Sequence, residues 1–140
     1  MNILFFLSPK MGLEYLHDTD TAYDALKKIK VRGYTAIPIV SKSDGTYVGT
    51  VSEGDILWYI VNNDYHDVKL LDGIMVEEII NKDKYKPVKV SEDMEDLIKL
   101  IMNQNFVPVV DDRGVFMGIV TRKRVIDYLY NETINSSQKI

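Results

Sequence analysis

Three features of this 140-residue sequence recur in the same order about 70 residues apart, and that internal repeat constrains the fold more than anything else in the chain. The first is an amphipathic helix. Ala22, Ala25, Leu26 and Ile29 stand at i, i+3, i+4 and i+7, and Met94, Leu97, Ile98 and Ile101 repeat the spacing 72 residues later. Side chains able to accept from a helix's orphan N–H groups precede each stripe: Thr19, Asp20 and Thr21 in one copy, Ser91 and Asp93 in the other. The second is a strand, a glycine turn and a strand: residues 34–40, Asp44-Gly45 and 47–51, against 106–110, Arg113-Gly114 and 115–120. Pro38 and Pro108 are 70 apart, and each proline is expected near a strand end or an edge, because it has no N–H for the ladder. Gly45 and Gly114 are 69 apart, as are Gly49 and Gly118. The third is a closing helix, with Ile56, Leu57 and Ile60 answered by Val125, Ile126 and Leu129. The drift from 72 to 69 falls in the connections, where chains tolerate length changes.

The expected fold is therefore α+β, two copies of one βαββα-type unit. Residues 1–62 form the first unit, 63–74 a polar linker carrying Gly73, 75–131 the second unit, and 132–140 a polar tail that frays. Within the second unit, Met75 to Ile80 reads as a short helix and Tyr85 to Val90 as an extended entry strand. The apolar start, Ile3-Leu4-Phe5-Phe6-Leu7, is far shorter than the roughly 20 residues of a membrane span and has no basic lead, so it reads as a buried strand or helix of the domain.

Composition narrows the function. Lys and Arg number 17 against 21 Asp and Glu, for a net charge of −4, which argues against a nucleic-acid partner. Without cysteine there is no disulfide, thiolate metal site or cysteine nucleophile, which fits a reducing compartment; a cytoplasmic protein with no membrane association is expected. His17 and His66 are isolated and read as surface or structural residues. The acidic cluster Glu92, Asp93, Glu95 and Asp96 lacks the spacing of a calcium loop and suits the first turn of a helix. No catalytic constellation, metal site or required cofactor is legible.

One place in each repeat gathers unusual residues: the junction from the second hairpin strand into the closing helix. It reads Gly49-Thr50-Val51-Ser52-Glu53-Gly54-Asp55 and Gly118-Ile119-Val120-Thr121-Arg122-Lys123-Arg124. Ser52 and Thr121 are placed to cap the helices, and a helix N-terminus also attracts phosphate. Arg122, Lys123 and Arg124 stand in a first turn, against the helix dipole; an anionic ligand reverses the sign of that effect, and so does pairing with the protein's own carboxylates. Asp55 is a favourable first-turn acid, or an acceptor for ribose hydroxyls.

The order amphipathic helix, apolar–Pro–apolar–apolar, glycine turn, Gly–apolar–apolar–Ser/Thr–x–x–Asp resembles the CBS domain, named for cystathionine β-synthase. It stands here as Ala36-Ile37-Pro38-Ile39-Val40 with residues 49–55, and as Val107-Pro108-Val109-Val110-Asp111 with residues 118–124, across nearly the whole chain. The resemblance implies two CBS repeats about a pseudo-twofold axis (a Bateman module), commonly paired into a disc-like homodimer, whose clefts bind AMP, ADP, ATP or S-adenosylmethionine. It implies Ser52 and Thr121 on phosphate, Asp55 on ribose, and the backbone near Ala36-Ile37 and Phe106-Val107 around the base. Arg124 departs from the pattern at the ribose acid. A narrower likeness, to stand-alone CBS pairs that bind cyclic di-AMP, lies in Gly33-Tyr34-Thr35-Ala36-Ile37-Pro38 and Thr121-Arg122-Lys123, with Thr35 and Ala36 toward the base and Arg122 and Lys123 toward phosphate. Tyr34, Pro38 and Pro108 complete the expected ligand-binding set. The implied role is a non-catalytic module with an adenine nucleotide as regulatory ligand, reporting to a separate partner protein. The alternative is a ligand-free dimerisation scaffold, with Trp58, Tyr59, Tyr128 and Tyr130 as its surface.

Overall fold

The computed structural model describes residues 2–138. Two short sheets carry the repeat. In the first, β2 (Leu16–His17) leads through α1 (Ala22–Arg32) to β3 (Ala36–Val40), then β4 (Tyr47–Ser52) and α2 (Glu53–Asn62). In the second, β5 (Val88–Lys89), α3 (Met94–Ile101), β6 (Phe106–Val110), β7 (Phe116–Thr121) and α4 (Arg122–Gln138) repeat that order. Each lone N-terminal strand runs parallel to the central strand, and each hairpin is antiparallel, with a register shift at the matching step, Ile39/Val40 and Val109/Val110. An additional strand, β1 (Ser8–Pro9), extends only the second sheet, giving the order β1-β7-β6-β5.

The caps left open by the sequence are Thr21 and Asp93. Each side chain accepts from the backbone N–H three residues on, and Asp24 and Asp96 return the bond to the cap's own N–H. The acidic cluster is accounted for locally: Glu92 accepts from the Lys89 N–H and Glu95 pairs with Lys99 at 3.5 Å. Pro38 and Pro108 lie in the middle of their strands, opposite Thr50 and Ile119, and not at the ends. They are tolerated because β2 reaches only Ile39 and Val40, and β5 only Val109 and Val110; at the prolines the central strand is locally an edge.

The two units are joined about the expected pseudo-twofold axis by their hairpins. Tyr47 N–H donates to Gly114 O at 2.9 Å and Phe116 N–H donates to Gly45 O at 3.0 Å. Tyr47 and Phe116 hold equivalent places in the two hairpins, and their rings stack with centroids 6.3 Å apart.

Packing carries segments across the expected boundaries at 62 and 75. Ile3 and Phe6, in a 3₁₀ turn, are buried in the second repeat's core with Val88, Leu97, Val107 and Val120. Leu71, Val76 and Ile79 are buried in the first repeat's core with Leu16, Ile37 and Val51. The apolar residues in the supposed polar linker thus complete the first unit, and the chain's start completes the second. Nor does the tail separate at 132: α4 continues to Gln138, and residues 139–140 lie outside the described residues.

The glycines Gly49 and Gly118 mark where these exchanged segments cross. A Cβ at Gly49 would stand 2.5 Å from Ile80 Cδ1, the mobile end of a side chain, whereas one at Gly118 would collide with the Ser8 carbonyl oxygen. Gly118 also holds φ at +150°, which an L side chain adopts only under strain. Gly118→Ala is expected to cost about 3 kcal/mol in urea unfolding, and Gly49→Ala about 1 kcal/mol or less, because only the second obstacle can rotate away.

Candidate functional site

A small apolar cluster, separate from both cores, lies where the repeats meet. It contains Ala36 at the start of β3, Phe106 at the start of β6, and Tyr85 from the segment that crosses between the units, with Ile119 against it. Tyr85 and Phe106 hold their rings 5.2 Å apart at 30°. The strand starts are fixed by matching bonds: Glu53 N–H donates to Thr35 O at 2.9 Å, and Arg122 N–H to Asn105 O at 2.8 Å. Ala36 and Phe106 come together in this cluster. Ile37 and Val107 instead project into the two separate cores and are fully buried, so only their backbone borders the junction. Pro38 and Pro108 are buried in their strands; Tyr34 and Thr35 are exposed just before β3.

Ser52 and Asp55 form a capping box at the start of α2. Asp55 N–H donates to Ser52 Oγ at 3.2 Å, and Ser52 N–H to Asp55 Oδ2 at 2.8 Å. The other carboxylate oxygen of Asp55 has no hydrogen bond among the described residues. Ser52 is buried, and its hydroxyl also receives Lys84 Nζ at 3.1 Å. Tyr85 follows directly. Its phenol is pushed up, first by burial and then by the negative charge of Asp55, with Arg122 acting in the opposite sense. Ser52, Asp55, Lys84, Tyr85 and Arg122 therefore share one electrostatic neighbourhood.

The basic run of the second repeat does not converge on a common point. Arg122 Nε donates to Ile101 O at 2.8 Å and so satisfies the C-terminus of α3. Lys123 pairs with Asp127 at 2.8 Å, one turn along α4. Arg124 donates its N–H to Thr121 Oγ1 at 3.2 Å, which makes Thr121 a cap, and its guanidinium reaches Phe5 O at 3.3 Å. Two clefts flank the closing helices at equivalent positions. One, of about 230 Å³, is bordered by Gly54, Asp55, Trp58, Tyr59 and Asn62 with Glu78 and Ile79. The other, of about 470 Å³, is bordered by Lys123, Arg124, Asp127, Tyr128 and Asn131 with Phe5 and Phe6. The first is acidic and the second basic because Asp55 and Arg124 occupy the same place in the repeat.

Sequence reasoning missed the residues that hold the crossing segment. Gln104 is buried; it accepts from Lys86 N–H at 2.9 Å and donates to Lys86 O at 3.0 Å and Phe106 O at 3.2 Å. Tyr47 touches Thr50 Oγ1 at 2.7 Å and Tyr85 O at 3.3 Å; since a carbonyl only accepts, Tyr47 donates to it and accepts from Thr50. A lone glutamine and a tyrosine at a strand start carry no pattern that distinguishes them in sequence.

A profile of the CBS domain matches residues 11–62 and 76–131. The chain belongs to the CBS domain family, with two repeats in tandem. It is 31% identical over 115 residues to the cyclic di-AMP receptor B of Bacillus subtilis, covering 82% of this chain and 76% of that one. It spans only 53% and 66% of the length of two other curated relatives. Among solved structures it superposes on CbpB in complex with c-di-AMP with a TM-score of 0.87, at 21% identity, covering 100% of this chain and 91% of that one. It superposes on CBSX2 in complex with AMP, a protein of Arabidopsis thaliana, with a TM-score of 0.75 at 25% identity, covering 94% and 98%. Relatives of this chain thus bind adenine nucleotides. Among the described residues no helix is long and apolar enough to cross a membrane, and no group of three or more His, Asp or Glu side chains is placed to hold a metal ion.

The Thr50–Tyr47–Tyr85 chain yields a measurable expectation. Burial pushes the Tyr47 phenol up to about 12 from its ordinary value of 10.0. The unfolded chain therefore loses that proton first, so stability is intact below pH 10.0 and falls as the pH rises toward about 12. Tyr47→Phe should cost about 1–2 kcal/mol at neutral pH by leaving Thr50 without its partner, and should show a smaller alkaline loss in denaturant melts.

Proposed function

We propose that this chain is a regulatory, non-catalytic module that binds an adenine nucleotide at the junction of its repeats and passes its ligand state to a separate partner protein. The observation that carries the reading is the meeting of Ser52, Asp55 and Tyr85 beside Ala36 and Phe106: a helix N-terminus for phosphate, a carboxylate with a spare oxygen for ribose, and an apolar cluster for a base. The kinship with a cyclic di-AMP receptor and with an AMP-bound CBS protein supports the ligand class, and makes cyclic di-AMP and AMP the first candidates. Tyr34, Thr35 and the backbone of Ile37, Pro38, Val107 and Pro108 border the base in this reading. Arg122 acts at the rim, while Thr121, Lys123 and Arg124 serve the second cleft, where no ribose acid is present. Location in the cytoplasm is part of the same proposal.

The signal works by selection. A nucleotide touching both repeats favours the arrangement it fits best, and shifts the population by no more than its difference in affinity for the two. The test is a thermal-shift screen against AMP, ADP, ATP, S-adenosylmethionine, cyclic di-AMP and the guanine counterparts. One or more adenine ligands should raise Tm with ligand concentration while the guanine set does not. Asp55→Asn, which keeps an acceptor for the Ser52 N–H, should leave the ligand-free Tm nearly unchanged and reduce the ligand-induced shift. No shift with any adenine ligand overturns the reading.

A homodimer forms part of the proposal. Leu57, Trp58 and Val61 on α2, and Ile126, Leu129 and Tyr130 on α4, are all about half exposed or more, whereas Tyr59 and Tyr128 pack inward on the cores. A face this apolar is suited to a second copy. Sedimentation should give a dimer for the native chain, and a monomer with Leu57→Glu and Ile126→Glu combined.

A further inference from the structure

We infer that Lys84, and not the basic run at 122–124, is the residue that holds the ligand's phosphate at the start of α2, beside the junction of the repeats; this rests on the nucleotide reading above and deepens it. The three cations that sequence alone pointed to already have partners: a helix-end carbonyl for Arg122, a carboxylate for Lys123 and the Phe5 carbonyl for Arg124. Lys84 differs. It has no carboxylate within salt-bridge distance among the described residues, and its ammonium rests on a neutral hydroxyl, Ser52 Oγ, at 3.1 Å.

Lys84 is exposed at this place, and Glu53 and Asp55 stand in the same first turn. Ser52 begins α2, so the ammonium faces the positive end of that helix, where a cation is disfavoured. Three of the amides that open the helix have acceptors: Ser52 N–H on Asp55, Glu53 N–H on Thr35 O, and Asp55 N–H on Ser52 Oγ. The Gly54 amide has none among the described residues. Nor does Gly54 have a side chain to cover it: a Cβ there would lie 3.8 Å from Lys84 Nζ and 3.8 Å from Ser52 Oγ. A phosphoryl oxygen at this spot accepts from Lys84 and from the Gly54 amide together.

The position of Lys84 is set by its neighbour. The Tyr85 ring packs on Phe106 and its carbonyl is held by Tyr47, so the backbone next to Lys84 is fixed at the mouth of the apolar cluster. The start of α4 has no such lysine: four residues before β2, where Lys84 stands four before β5, the chain has Gly12. The ligand class is accordingly an adenine nucleotide with an accessible phosphate oxygen, monoester or diester, in preference to the nucleoside.

Isothermal titration of the full chain with AMP, cyclic di-AMP and adenosine, at low and high salt, tests this. Lys84→Met should weaken whichever nucleotide the native protein binds by about tenfold or more, flatten its salt dependence, and leave adenosine and the ligand-free Tm unchanged. Lys84→Arg should restore most of the affinity. Native-like nucleotide affinity and salt dependence in Lys84→Met overturn the inference while sparing the nucleotide site, as does an equal loss for nucleotide and adenosine, which makes Lys84 merely structural. If the native protein binds none of the adenine ligands of the thermal-shift screen, the proposed function falls and this inference with it.

Discussion

Two backbone hydrogen bonds, Tyr47 N–H to Gly114 O and Phe116 N–H to Gly45 O, set the frame on which the rest of this molecule depends. Each hairpin turn offers the other one acceptor and one donor, so the pair closes only when the repeats face each other about a twofold axis. Main-chain groups provide the contact, which leaves side chains free to diverge; Tyr47 opposite Phe116 is such a divergence. From that divergence comes the hydroxyl that reaches Tyr85, and with it a tie between the axis and the junction where the candidate site lies.

The crossing segment is the second organising element. Between Ile80 and Val88 the chain leaves one core and enters the other, and in that stretch it is held by side chains more than by a ladder: Gln104 grips Lys86 on both its N–H and C=O, Tyr47 holds the Tyr85 carbonyl, and Ser52 receives Lys84. Buried polar groups with full partners fix one geometry at little net cost, whereas partial satisfaction is expensive. Among the described residues no buried side-chain polar atom lacks a partner. The apolar cluster of Ala36, Tyr85 and Phe106 owes its position to this arrangement.

What could be read in advance follows from the range of the forces involved. Helix stripes, capping boxes and turn glycines are local, so the βαββα order, the capping by Ser52 and Thr121 and the pairing of hairpins within each unit were legible. The exchanged segments were not. Ile3 and Phe6 look like part of the unit they precede, and Leu71 and Val76 like parts of a linker, because nothing in a local pattern says which core an apolar residue joins. Of the two places expected for the prolines, the edge held and the strand end did not: a mid-strand Pro38 is accommodated because the neighbouring strand is two residues long, and that length is set by tertiary pairing. At the site, residue type suggested Arg122 and Arg124 as free cations, but their carbonyl partners, Ile101 and Phe5, come from α3 and the chain's start. Lys84 and Gln104 belong to no repeated pattern and were invisible.

The exchange of segments also bears on how the chain is made. Ser8 pairs with Ile119, so the segment before β2 waits for the last strand, β7, before it is covered. Until then Ile3 and Phe6 have no core to enter, while the first repeat closes as soon as Ile79 has emerged. Contacts of such high sequence separation slow the final step of folding and lengthen the exposure of an apolar segment. For this module the vulnerable interval during biosynthesis is the growth of the second half, when the segment that carries Ile3 and Phe6 stands uncovered.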